Sequence, residues 1–150
     1  MKKLLKLICI TLVLALCLSL TACSSYGKIE KALNGIGYTV IETNSTGEKM
    51  QEESEVAVNV HFMSNAESLS ALEIAKITNV IIIEFNKTDD MLEFYNESDT
   101  LKGLVSDVKK DGTAEEFYNS LVDNGYANGN CLVLAIGLDY KNVNNAVKNA

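Results

Sequence analysis

Few side chains in this 150-residue chain could do acid–base or covalent chemistry, and they lie far apart. His61 is the only histidine. As a metal ligand it lacks a second His or a Cys cluster at ligand spacing, and as a base it has no nucleophile frame such as G-x-S-x-G. On an alternating strand it falls on the solvent side, in a structural role. Cys131 heads the run CLVLAI. Burial among such neighbours raises a thiol's pKa and makes it inert, so it reads as a packing residue. Asp89 and Asp90 could form an acid–base pair or hold a cation. No calcium-loop spacing surrounds them, however, and carboxylates in a first helical turn favour the positive end of the helix dipole. The loop DNGYANGN (123–130) has the character of a recognition element. Its glycines permit positive φ, and Tyr126, Asn128 and Asn130 could project toward a ligand or partner, with His61 as a further contact candidate. The same loop also reads as a helix stop, a hydrophobic plug and a turn. No catalytic residue, metal site or cofactor is expected from these residues.

Cys23 offers chemistry of another kind. Lys2, Lys3 and Lys6 precede an apolar run from Leu7 to Leu20, broken only by Thr11 and Ser19. That run is short for a bilayer span of about 20 apolar residues and has the form of a secretory signal. It ends in Leu20-Thr21-Ala22-Cys23, which resembles the lipobox of bacterial lipoprotein precursors: an aliphatic residue, two small residues, then cysteine. The resemblance covers residues 1–23 only. It implies that residues 1–22 are a signal peptide, that a peptidase cuts before Cys23, and that Cys23 carries diacylglyceryl and acyl groups. Two or three such chains, at about 0.8 kcal/mol per buried CH₂, would hold the protein on the extracytoplasmic face of a cell membrane. Residues 23–27 would then be the lipidated cysteine and a short tether, and residues 28–150 a single domain.

Loss of residues 1–22 leaves 128 residues, enough for one hydrophobic core. Ten lysines then face twenty acidic residues, a formal charge of −10, and the chain has no arginine. Arginine is the usual forked donor to phosphates and base edges, so nucleic acid is not an expected partner. An acidic surface also repels anionic headgroups, which leaves the acyl groups on Cys23 as the membrane contact. Cys9 and Cys17 leave with the signal, so no intramolecular disulfide is expected.

The elements that must position these residues are legible in part. A helix is expected over Lys28 to Asn34 and a strand over Tyr38 to Thr43, followed by a polar loop from Asn44 to Glu53. Val56, Val58, Val60 and Phe62 alternate as in a strand, yet the acidic lead-in also suits a helix, so residues 55–63 stay open. Leu69 to Ile77 alternates and pairs on paper with Val80 to Phe85 through a turn at Thr78-Asn79. Helices should start at Thr88, carry the stripe Leu101, Leu104, Val105 and Val108, and start again at Thr113, where TAEE fits a capping box. Cys131 to Ile136 reads as a buried strand and Asp139 as the cap of a last helix. The tetrapeptide EFYN recurs at 93–96 and 116–119; its aromatics, at helical spacing, read as core. The expected fold is one α+β domain: an antiparallel or mixed sheet of about four or five strands with amphipathic helices mainly on one face. Function divides three ways: a non-catalytic binding module for an envelope protein or small ligand, an enzyme whose site assembles only in three dimensions, or a subunit of an envelope assembly.

Overall fold

Alternation of side chains along the strands builds two cores from one sheet. The computed structural model describes residues 24–43, 58–105, 108 and 112–150. Five strands, β1 (Thr39–Thr43), β2 (Val58–Ser64), β3 (Asn79–Phe85), β4 (Ala127–Asn128) and β5 (Cys131–Ile136), form one sheet in the order β1-β2-β3-β5-β4, with every pairing antiparallel. The central strand β3 holds Ile83 opposite Val60 of β2 and Leu132 of β5, while Ile82 lies opposite His61 and Val133. Side chains two apart share a face, so odd and even positions feed different cores. The edge strand β1 is exposed along its length and carries a bulge between Val40 and Glu42, an irregularity that discourages strand addition.

The first face carries Val60, Ile83, Phe85, Leu132 and Leu134. Three helices cover it: α2 (Thr88–Glu97), α3 (Asp99–Leu104) and α4 (Ala114–Asp123). The two EFYN copies meet here, with the Tyr95 and Phe117 rings 4.9 Å apart and Phe94 tilted against Phe85 at 5.3 Å. The second face carries Met63, Val80, Ile82, Cys131 and Val133. It is covered by α1 (Ser25–Asn34) through Ile29 and Leu33, and by α5 (Tyr140–Lys148) through Val143 and Val147. The α+β class and the single sheet match expectation. The helices divide three to two between the faces, so "mainly on one face" describes only the larger set.

Local signals explain most helix boundaries. Thr113 caps α4 by accepting from Glu116 N at 3.2 Å, and Glu116 Oε2 accepts from Thr113 N at 2.9 Å; the reciprocal pair satisfies two donors left open at a helix start. Ser24 Oγ accepts from Gly27 N at 3.0 Å. That cap starts α1 at Ser25, one turn before the expected Lys28, so residues 25–27 form the first turn of the helix. The stripe at 101–108 is also shortened, since α3 ends at Leu104 and leaves that side chain exposed while Leu101, Val105 and Val108 are buried.

Residues 58–64 settle as strand, because both neighbours of β2 supply ladder partners. The expected hairpin between 69–77 and 80–85 does not form. Two 3₁₀ turns, Ala66–Ser68 and Ala71–Lys76, occupy that stretch, and β3 pairs with β2 and β5 instead. The segment ALEIAK lacks the β-branched content of a strand. Its start is held by Glu73 Oε2, which accepts from Ser70 N at 3.3 Å and Ser70 Oγ at 2.8 Å. Lys76 Nζ donates to the same carboxylate at 2.9 Å, and Lys76 and Ser70 together lower the Glu73 pKa to about 2. Asn65 closes the loop, accepting from Thr78 N at 2.8 Å and donating to Lys76 O at 3.3 Å. The polar loop expected at 44–53 lies outside the described residues.

Candidate functional site

The loop at 123–130 does border a surface groove, through Asp123, Asn124 and Tyr126 alone. Asp123, Asn124 and Tyr126 form one wall of a groove of about 270 Å³. The other wall is the outer side of α5: Tyr140, Lys141, Asn144, Asn145 and Lys148. Spacings of one, four, five and eight residues place these five on a single helix face. The groove lies where α4, from the first face, turns toward α5 on the second, beside the short edge strand β4.

Close backbone approach fixes the two walls together. Gly125 adopts φ +73°, and a Cβ at that position would lie 2.0 Å from Asn144 O, so only glycine fits between the loop and α5. Lys148 Nζ donates to Asp123 O at 2.9 Å, and Asn124 Nδ2 donates to Ser120 O at 2.8 Å, satisfying carbonyls at the end of α4. Tyr126 N donates to Leu121 O at 2.9 Å, and Tyr126 O accepts from Val133 N at 2.8 Å. Tyr126 is only 8% exposed and belongs to the first core. It is therefore mainly the plug its position allowed, with one edge reaching the groove. Asn128 and Asn130 do not project outward. Asn128 Nδ2 donates to Val147 O at 3.2 Å, and Asn130 Nδ2 donates to Phe85 O. Asn128 ends β4 and Asn130 lies in the turn that follows, and both amides hold backbone.

His61 is far from that groove in environment as well as in sequence. It is 6% exposed, on the second face rather than the solvent side, because α1 covers this end of the sheet. Tyr26 of α1 stacks on its ring with centroids 3.6 Å apart. Glu84 Oε2 lies 3.7 Å from His61 Nε2, within ion-pair range but beyond a hydrogen bond, and neither ring nitrogen has a hydrogen-bond partner among the described residues. Burial lowers the His61 pKa, against the opposing pull of Glu84 and Glu30. Glu84 sits directly across from Cys131 in the ladder. Burial, with the Glu84 charge adding to it, pushes the Cys131 thiol up to about 12. Tyr26 is likewise raised, first by burial and then by Glu30. Burial thus disfavours both the thiolate and the imidazolium, the two charged forms of an activated thiolate–imidazolium pair.

Cys23 lies outside the described residues. No group of three His, Cys, Asp or Glu side chains that could hold a metal occurs among the described residues, and no helix among them is long and apolar enough to cross a membrane. Asp89 and Asp90 fall in the first turn of α2, as the dipole argument expects. Two features escaped the sequence reading. Glu84, a lone acid inside VIIIEF, was a visible signal for a buried polar contact. The groove wall on α5 had only a polar stripe to announce it, and a polar stripe is the ordinary outer face of any surface helix. Comparison with known protein families, characterised proteins and solved structures finds no match for this chain.

Proposed function

We propose that this protein is a lipid-anchored bacterial lipoprotein, held on the extracytoplasmic face of the cell membrane, that acts as a non-catalytic binding module. The observation that carries the binding reading is the contrast between its two polar clusters. The groove of Asp123, Tyr126, Tyr140, Lys141 and Asn144 opens to solvent with amides, rings and charges on its walls. The reactive types, His61 and Cys131, are sealed beneath the second-face helices, where burial lowers the His61 pKa and raises that of the Cys131 thiol. Anchoring rests on Leu20-Thr21-Ala22-Cys23 and its charged, apolar lead. Because Ser24 is already the cap of α1, the domain would ride close to the bilayer. Radiolabelled palmitate should enter the wild-type chain and not Cys23→Ser; label on the variant would remove the anchor. For binding, chemical-shift mapping of the full chain in detergent should place ligand-induced changes at 123–126 and 140–148. Changes confined to His61, Glu84 and Cys131 would favour an enzyme instead.

A second reading, a subunit of an envelope assembly, is favoured by one feature. Leu72 (97% exposed), Leu138 (74%), Ile74, Ile136 and Ile36 all leave apolar surface open. They gather at the end of the sheet where β2 ends and β3 begins, tied together by Asp139 N donating to Thr78 Oγ1 at 3.0 Å and Tyr38 OH donating to Asp139 Oδ2 at 3.0 Å. Ser25 packs against Gly129 at the opposite end, so this apolar end would face away from the membrane. Exposed apolar surface of this kind marks protein contacts. Crosslinking on intact cells should trap a protein through residues 72–74 or 136–138; a monodisperse, uncrosslinked protein rules the assembly out.

A further inference from the structure

We propose that the groove between the end of α4 and the outer face of α5 takes an acidic saccharide, a single sugar ring bearing a carboxylate. This rests on the reading of that groove as the ligand site.

Size comes first. At about 270 Å³ the groove falls just below the roughly 300–1,000 Å³ of sites for drug-sized ligands, which suits one ring better than an extended molecule. Its chemistry narrows the class further. No aliphatic side chain lines it, so an acyl tail or an apolar ring would leave the wall's polar groups desolvated and unpaired, at about 1–3 kcal/mol each. Asn144 and Asn145 bring amides that both donate and accept, as sugar hydroxyls do. Tyr140, partly exposed, offers a flat ring whose electron-rich face suits the C–H side of a sugar.

Charge selects the acidic form. Lys141 and Lys148 face a single carboxylate, Asp123, so the groove carries an excess of positive charge on a chain whose mature part is at −10. Lys148 is positioned by its bond to Asp123 O at 2.9 Å, which occupies one of three ammonium donors and leaves two for a ligand. Lys141 Nζ sits 5.9 Å from the centre of the Tyr140 ring, so a stacking face and a cation are presented together. Two lysines and no arginine provide point charges rather than a planar fork, which suits any compact anion, so inorganic phosphate is the competing probe.

Glucuronate and glucose, which differ only at C6, are the matched probes, with inorganic phosphate and glycine as controls. They are titrated into the full-length protein in detergent by calorimetry, with chemical-shift mapping of the site. Glucuronate should bind about tenfold more tightly than glucose, the sum of two partly exposed lysine–carboxylate contacts, and should move resonances at 123–126 and 140–148. Lys141→Gln should cut that preference to about threefold or less while leaving glucose binding in place, and salt should weaken glucuronate alone. Equal binding of glucose and glucuronate, or tighter binding of phosphate or glycine in the groove, overturns the acidic-saccharide assignment and keeps the groove as a site. If no probe shifts the groove resonances, and Tyr140→Ala and Lys141→Gln leave every titration unchanged, the assignment and the binding-module reading fall together.

Discussion

The two faces of the sheet are built from the same three strands and differ in what they bury. On the first face, β2, β3 and β5 present Val60, Ile83, Phe85, Leu132 and Leu134 to three helices, and the buried set is almost wholly apolar. On the second, the alternate positions give Met63, Ile82 and Val133 but also His61 and Glu84, under two helices. A face closed by aromatics draws its stability from volume, whereas a face that buries ionisable groups makes its stability depend on pH as well. The groove lies at the seam, where the β4 edge is only two residues long and the loop after α4 packs closely on α5.

The comparison is broken most strongly by removing volume from one face at a time. Phe85→Ala should cost about 3–5 kcal/mol, against about 1.5–3 kcal/mol for Val133→Ala on the other side, read from urea denaturation. Equal losses would mean that the second face packs as densely as the first. At the seam, Gly125→Ala should cost about 2 kcal/mol, since it forces a side chain into φ +73° and against Asn144 O. Its signature beyond stability is displacement of Lys148 resonances. Tyr38→Phe, which removes the 3.0 Å bond from Tyr38 OH to Asp139, should cost about 1 kcal/mol, as for a single partly buried hydrogen bond.

The smallest effect is the most specific to the second face. The folded-state pKa of His61 is lowered by burial, so the fold favours the neutral ring. Its contribution is complete above the ordinary histidine value of about 6.5 and is lost as pH falls below it. The wild-type chain should therefore weaken between pH 7 and pH 5, and His61→Phe should flatten that slope. Phe85→Ala should keep it, because the first face holds no histidine. A slope that persists in His61→Phe would assign the pH dependence to other groups.

How far the sequence can be read depends on whether the deciding interaction is local. The Thr113–Glu116 box spans four residues and marked α4 correctly, and the alternation in Val80 to Phe85 and CLVLAI marked the central strands. Leu69 to Ile77 was misleading for the same reason: alternation over a few residues cannot tell a strand from two 3₁₀ turns when the competing hold comes from Ser70, Glu73 and a distant Asn65. His61 shows the limit from the other side. Its position on β2 follows from the sequence, but which face is wet depends on where α1 lands. The candidate groove was legible only at Tyr126 and its loop, since the five α5 residues opposite form a polar stripe like the outer face of any surface helix.

By itself, then, the amino-acid sequence determined the α+β class, the central strands and the start of α4, because caps and period-two burial act over neighbours in the chain. Tertiary structure alone decided that both faces of the sheet would be covered, that His61 would be buried beside a half-buried Glu84, and that Asp123 would stand across a groove from Tyr140. Those arrangements depend on helices that approach each other from opposite faces of a five-stranded sheet, and such approach is a property of packing rather than of any local run of residues.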